Sequence, residues 1–182
     1  MEKKYILTDE KIDCCGHTLS RIRAVRDFAG IKSGTIGGYI EAEHNLSHEG
    51  AAWVSDDAHV TGNACVSNDA HVTGDARVSG DACVSGAAHV TGDACVTGAA
   101  HVTGDAWVSG NADFAVISGF GRAFRTTTFF RCKDNLVRCQ CGCFYGTVDE
   151  FRAKVRETHG NSKYAKEYLM IADLMELHFK ED

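Results

Sequence analysis

Ala58-His59-Val60-Thr61-Gly62-Asn63-Ala64-Cys65-Val66-Ser67-Asn68-Asp69-Ala70-His71-Val72-Thr73-Gly74-Asp75 holds three copies of one six-residue phrase. Outward from it, valine recurs at every sixth position from Val54 to Val108, and Phe114 takes the next slot. Alanine stands two residues before each of these, from Ala52 to Ala112. Ser or Thr follows every valine in the run. Residues two apart in a strand face the same side, so Ala and Val point inward and their neighbours outward. The slot two after valine is glycine at 62, 74, 80, 86, 92, 98, 104 and 110, and otherwise Asp56 or Asn68. Asp and Asn tolerate a left-handed backbone best among non-glycine residues, which predicts a left-handed turn after every short strand.

Three strand–turn units close one triangular coil of 18 residues, and coils stack about 4.8 Å apart through parallel hydrogen bonds. Proline is absent from all 182 residues, as suits coils in which nearly every backbone N–H is needed. The pattern resembles the hexapeptide repeat of the left-handed parallel β-helix family. Gly38-Tyr39-Ile40 and Asn45-Leu46-Ser47 read as two degenerate units before a two-residue insertion within 48–51. The expected fold is therefore mainly β. It comprises an amino-terminal β-hairpin cap (1–37), a left-handed parallel β-helix of about four coils (38–117) and a carboxy-terminal α+β module (118–182).

The flanks break the period. Residues 4–8 and 18–28 read as two strands around a turn, with Ile22 and Ala24 alternating with Arg21 and Arg23. A cap is needed because open parallel strands are an aggregation edge. Residues 126–132 and 136–141 read as a hairpin about Lys133-Asp134-Asn135. Thr147 and Glu150 form a capping box for a helix ending near His159, and a second helix runs from about Ser162 to Phe179.

Charge is uneven. Residues 51–113 carry eight Asp and one Arg, whereas 114–182 carry eleven Lys/Arg against nine Asp/Glu. The overall balance of −6 argues against nucleic acid as a partner. No apolar run is long enough for a membrane span, and the start lacks an apolar signal core. The nine cysteines read as reduced thiols, so the expected location is the cytoplasm.

Folding the repeat at 18 residues per coil sorts the outward slots into three ladders. One holds Trp53, His71, His89 and Trp107. A second holds His59, Arg77, Cys95 and Asp113. The third holds Cys65, Cys83 and His101. Outward tryptophans are typical interface anchors, so Trp53, His71, His89 and Trp107 are the expected subunit interface. Arg122, Arg125, Thr126, Thr127 and Thr128 follow two glycines, and these donors suit an anionic ligand. Cys139, Cys141 and Cys143 share one face if extended, and His159 ends the next helix. Cys and His are zinc ligands, so these four are the metal candidate. The competing reading is buried thiols acting as small hydrophobes. No other cofactor is expected.

Cys141-Gly-Cys143-Phe-Tyr-Gly-Thr-Val-Asp-Glu-Phe-Arg, closing in Thr158-His159-Gly160, is similar to a terminal module of phage and prophage hexapeptide-repeat proteins. That resemblance implies a mobile-element origin, and related β-helices commonly form trimers with ligands held between subunits. The expected function is a non-catalytic oligomeric binding protein that sequesters a small anionic, nucleotide-like ligand or a host protein. The alternatives are an acyl-CoA-dependent acyltransferase, with His71, His89 and His101 as bases by type, and a structural spacer or assembly protein.

Overall fold

A computed structural model describes residues 2–180. Its centre is a parallel β-solenoid of about four coils with three faces. The first face orders β3 (Ile36–Ile40), β5 (His59–Val60), β8 (Arg77–Val78) and β11 (Cys95–Val96). The second orders β4 (Trp53–Val54), β7 (His71–Val72), β10 (His89–Val90) and β13 (Trp107–Val108). The third orders β6 (Cys65–Val66), β9 (Cys83–Val84) and β12 (His101–Val102), with Leu46 bridged to Val66. Register is fixed at 18 residues, as in Trp53 opposite His71 and His89 opposite Trp107. This arrangement fits the expected left-handed winding.

The repeat phase explains the packing. Every alanine two before a repeat valine, from Ala52 to Ala106, and every valine from Val54 to Val108 is buried, whereas Ala87 and Ala99 in turn slots are exposed. Coils are tied by bonds such as His59 N to Ala76 O (2.9 Å) and Thr61 N to Val78 O (2.9 Å). Asp56 and Asn68 take φ of 56° and 58°, the left-handed turn that glycine supplies elsewhere. At Gly86 (φ 69°) a Cβ would stand 2.7 Å from Gly104 N of the next coil, so the turn also depends on close backbone approach. The expected turn fails once. Gly110 has an extended φ of −162° and opens a 3-10 turn at Asn111–Asp113, where the chain leaves the solenoid. Asp113 consequently does not extend its ladder. Its carboxylate accepts from Ser109 N and Oγ (2.9 and 2.6 Å).

The first coil is closed by β1 (Tyr5–Cys14) and β2 (His17–Ala24), an antiparallel pair that continues onto β3. Lys4 is fully buried at this end. Its ammonium donates to Ala52 O (2.7 Å) and lies 3.4–3.5 Å from Glu49 O and Gly50 O, carbonyls in or beside the inserted segment. Burial, then the charge of Arg26, lowers its pKa to about 8. Trp53 packs edge-on against Tyr5 and Phe28.

The last coil is closed by a four-stranded antiparallel sheet: β14 (Phe114–Phe120), β15 (Arg125–Arg131), β16 (Val137–Cys141) and β17 (Phe144–Thr147). The expected hairpin is β15–β16, and β14 and β17 extend it on either side. Residues of β15 alternate between two cores. Phe130 joins the solenoid core, and Phe129 joins a second core with Phe151, Val155, Tyr168 and Met175. Helix α1 (Val148–His159) starts at the Thr147 cap, with Glu150 N donating to Thr147 Oγ1 (3.3 Å) and Thr147 N to Glu150 Oε2 (2.8 Å). Helix α2 (Lys163–His178) follows Ser162.

Candidate functional site

The solenoid faces are flat ladders. The carboxy-terminal module is concave. The β14–β15 turn, the β16–β17 turn, α1 and α2 enclose a cavity of about 550 Å³. Its cationic lining is Arg122, Arg125 and Lys154, His159 lies beside them, and its apolar lining includes Phe144, Phe151, Val155 and Tyr168. This volume is within the range of small-molecule sites.

Local structure explains the arrangement. Gly119, Gly121 and Phe124 adopt positive φ, so the β14–β15 connection turns back and carries both arginines to the cavity. The turn is anchored to α2, because Gly121 N donates to Glu167 Oε2 (3.0 Å) and the Tyr168 hydroxyl to Phe120 O (3.3 Å). Arg125 lies over the backbone of Gly142, where a Cβ would stand 2.4 Å from its guanidinium. Burial, with Cys141 beside it, raises the Tyr168 hydroxyl pKa to about 12 and so keeps it a hydrogen-bond donor at neutral pH.

Lys154 pairs with Glu157 (3.0 Å). Among the described residues, neither Arg122 nor Arg125 has a carboxylate in ion-pair range. Two guanidinium groups without such partners, set over an aromatic floor, can accept a phosphate or carboxylate in charge-assisted hydrogen bonds.

The five expected anion-binding residues divide. Arg122 and Arg125 line this cavity. Thr126 lines a neighbouring depression of about 240 Å³ with His101, Arg125 and Gln140. Thr127 and Thr128 are buried and their hydroxyls are bonded within the protein, away from the cavity lining. The Thr127 hydroxyl donates to Cys141 Sγ (3.1 Å), and Thr128 Oγ1 accepts from His101 N (2.9 Å). Both threonines serve the docking of β15 between the two cores.

Of the four metal candidates, Cys141, Cys143 and His159 line this same cavity, whereas Cys139 lies in the module core. Cys139 is fully buried, and burial raises its thiol pKa, as expected of a small hydrophobe. β16 ends at Cys141, Gly142 turns the chain (φ 59°), and Cys143 is exposed beyond it. His159 stacks on Tyr168 (5.8 Å). Among the described residues, no group of three or more His, Cys, Asp or Glu is arranged to hold a metal ion.

The expected interface ladder is in register, but its ends differ. Trp53 is only 2% exposed beneath the amino-terminal cap, so it offers no surface to a partner. His71, His89 and Trp107 form a continuous ring stack, with centroids 5.3 and 4.8 Å apart, and Trp107 is 41% exposed. Burial lowers the pKa of His71 and His89, reinforced by His89 and Lys133 respectively.

Lys154, Phe144 and Tyr168 were missed from sequence because they come from three separated elements. The only sequence signal was the net positive charge of the module. No family model matches the chain, and no curated protein matches it. Among the described residues, no helix is long and apolar enough to cross a membrane.

Proposed function

We propose that this chain is a non-catalytic binding protein whose carboxy-terminal cleft holds a small anionic, nucleotide-like ligand. The observation that carries this reading is the meeting of Arg122, Arg125, Lys154 and His159 over Phe144, Phe151 and Tyr168 in one cavity. Arg122 and Arg125 take the anionic groups, and the aromatic floor takes the apolar body. The solenoid serves as a rigid support. The mobile-element origin and left-handed winding belong to the same reading and rest on the sequence resemblance. Its oligomer, a trimer by that resemblance, packs through the His71–His89–Trp107 stack, supported by the exposed Trp107 ring at its open end.

Thermal-shift measurements with linear and cyclic nucleotides, pyrophosphate and acetyl-CoA test the ligand. A true ligand at a hundred times its Kd stabilises by about 2.7 kcal/mol, a Tm rise of roughly 5–10 °C for a chain of this size. The double variant Arg122→Ala/Arg125→Ala is expected to lose that rise. The reading fails if no anion raises Tm, if the double variant responds unchanged, or if acetyl-CoA binds and is turned over.

A further inference from the structure

The tip of the β1–β2 hairpin carries a second cluster, remote in sequence from the anion cleft. Cys14 ends β1, and Cys15 and Gly16 alone connect it to His17 at the start of β2. Their φ values are 53° and 85°, so a two-residue turn places cysteine where asparagine or glycine fits with less strain. The Cys14 thiol donates to Cys15 Sγ, with the sulfurs 3.8 Å apart. Both cysteines line a cleft of about 450 Å³ against the β5–β8–β11 face, with His17, His59, Arg77 and Cys95. His59 Nδ1 is buried there without a hydrogen-bond partner. Arg77 has no carboxylate in ion-pair range among the described residues.

The sulfur separation bears on the chemistry. A disulfide requires about 2.05 Å, far less than is found here. One tetrahedral atom bonded to both sulfurs at about 2.3 Å spans about 3.8 Å, and a pyramidal trivalent atom, with narrower angles, draws them a few tenths of an ångström closer. The pair therefore has the bite of a single bridging soft atom. Zinc needs at least a third protein ligand, and none is in place among the described residues. A trivalent arsenical that keeps one organic substituent needs only two thiolates.

We propose that Cys14 and Cys15 form a dithiol capture site for monosubstituted trivalent arsenicals, with the substituent lying in the cleft beside Arg77. Two As–O bonds of the dihydroxide R–As(OH)2 break and two As–S bonds form. Each thiol proton leaves with a hydroxide as water, and arsenic remains trivalent. The positive charge of Arg77 favours a substituent bearing a carboxylate.

Native mass spectrometry of the full chain with phenylarsine oxide, combined with thiol titration, tests this. The expected result is one adduct per chain and the loss of two titratable thiols. Cys14→Ser and Cys15→Ser each weaken the adduct at least tenfold, whereas Cys139→Ser, Cys141→Ser and Cys143→Ser leave it unchanged. A 4-carboxyphenyl arsenical competes with the phenyl one, and Arg77→Ala removes that advantage. Because Cys14 and Cys15 stand in a surface turn, circular dichroism of both serine variants is expected to match the parent. The proposal is overturned if no adduct forms, if it persists in Cys15→Ser, or if peptide mapping places it at residues 139–143.

Discussion

The solenoid and the carboxy-terminal module bury their side chains in opposite ways. In the solenoid, position in a six-residue phrase decides everything: Ala and Val fill a thin core, and hydrogen bonds between coils fix the register. In the module, a few large side chains (Phe129, Phe151, Tyr168 and Met175) meet from one strand and two helices. A periodic structure leaves flat faces, because each outward residue stands directly over another one coil away. The irregular module leaves a hollow, and unpaired arginines collect there. Regularity gives the scaffold, and its interruption gives the site.

Changes to each core test this contrast most severely. Val78→Asp puts an unpaired charge in the solenoid interior and is expected to cost more than about 4 kcal/mol, read as loss of the folding transition in urea. Phe129→Ala removes a ring from the module core and is expected to cost about 3–5 kcal/mol. Hydrogen exchange should show the second loss concentrated in the module, with solenoid amides still protected. Equal loss of protection in both regions would make them a single cooperative unit and remove the distinction.

The next effect is on binding rather than stability. Arg122 and Arg125 are surface residues without carboxylate partners among the described residues, so alanine at either is expected to change stability by less than about 0.5 kcal/mol. Each lost charge-assisted bond is expected to cost about 1.5–3 kcal/mol of ligand affinity, measured by titration calorimetry with ADP. Trp107→Ala serves as the solenoid counterpart and should leave ADP affinity unchanged.

A separate effect is a pH dependence at the other end of the solenoid. The folded-state pKa of Lys4 is about 8, below the ordinary 10.5. Between these values the unfolded chain binds more protons than the folded one, so this group's contribution to stability rises with pH. At neutral pH the buried ammonium carries a penalty, lost as pH rises from 8 towards 10.5. Thermal melts of the parent and Lys4→Met should therefore diverge over that interval, the parent gaining. His71 and His89 act on the acid side. Their folded pKa values lie below the ordinary 6.5, so stability falls as pH drops below 6.5 towards the folded values.

The period made the solenoid legible from residues alone. The alternation of Ala and Val placed the core, and Asp56 and Asn68 marked the left-handed turns that glycine marks elsewhere. The capping box at Thr147 and Glu150 placed α1 for the same local reason. What escaped depended on distant partners. Trp53 sits in an outward slot, yet Tyr5 and Phe28 arrive from the cap and cover it. Thr127 and Thr128 carry free-looking hydroxyls, but β15 is pressed between two cores and both groups are consumed. Cys143 shared an alternation with Cys139 only while the strand was assumed to continue past Gly142. The cavity was half legible. Arg122 and Arg125 stood together in sequence, whereas Lys154, His159 and Tyr168 joined them only through helix packing.

The most direct test of the central claim is hydrogen exchange of the full chain with and without saturating ADP. The account predicts added protection in peptides covering 120–126, 141–144 and 154–159, and none along 53–108. Protection along the His71–His89–Trp107 face, with the module unchanged, would contradict it.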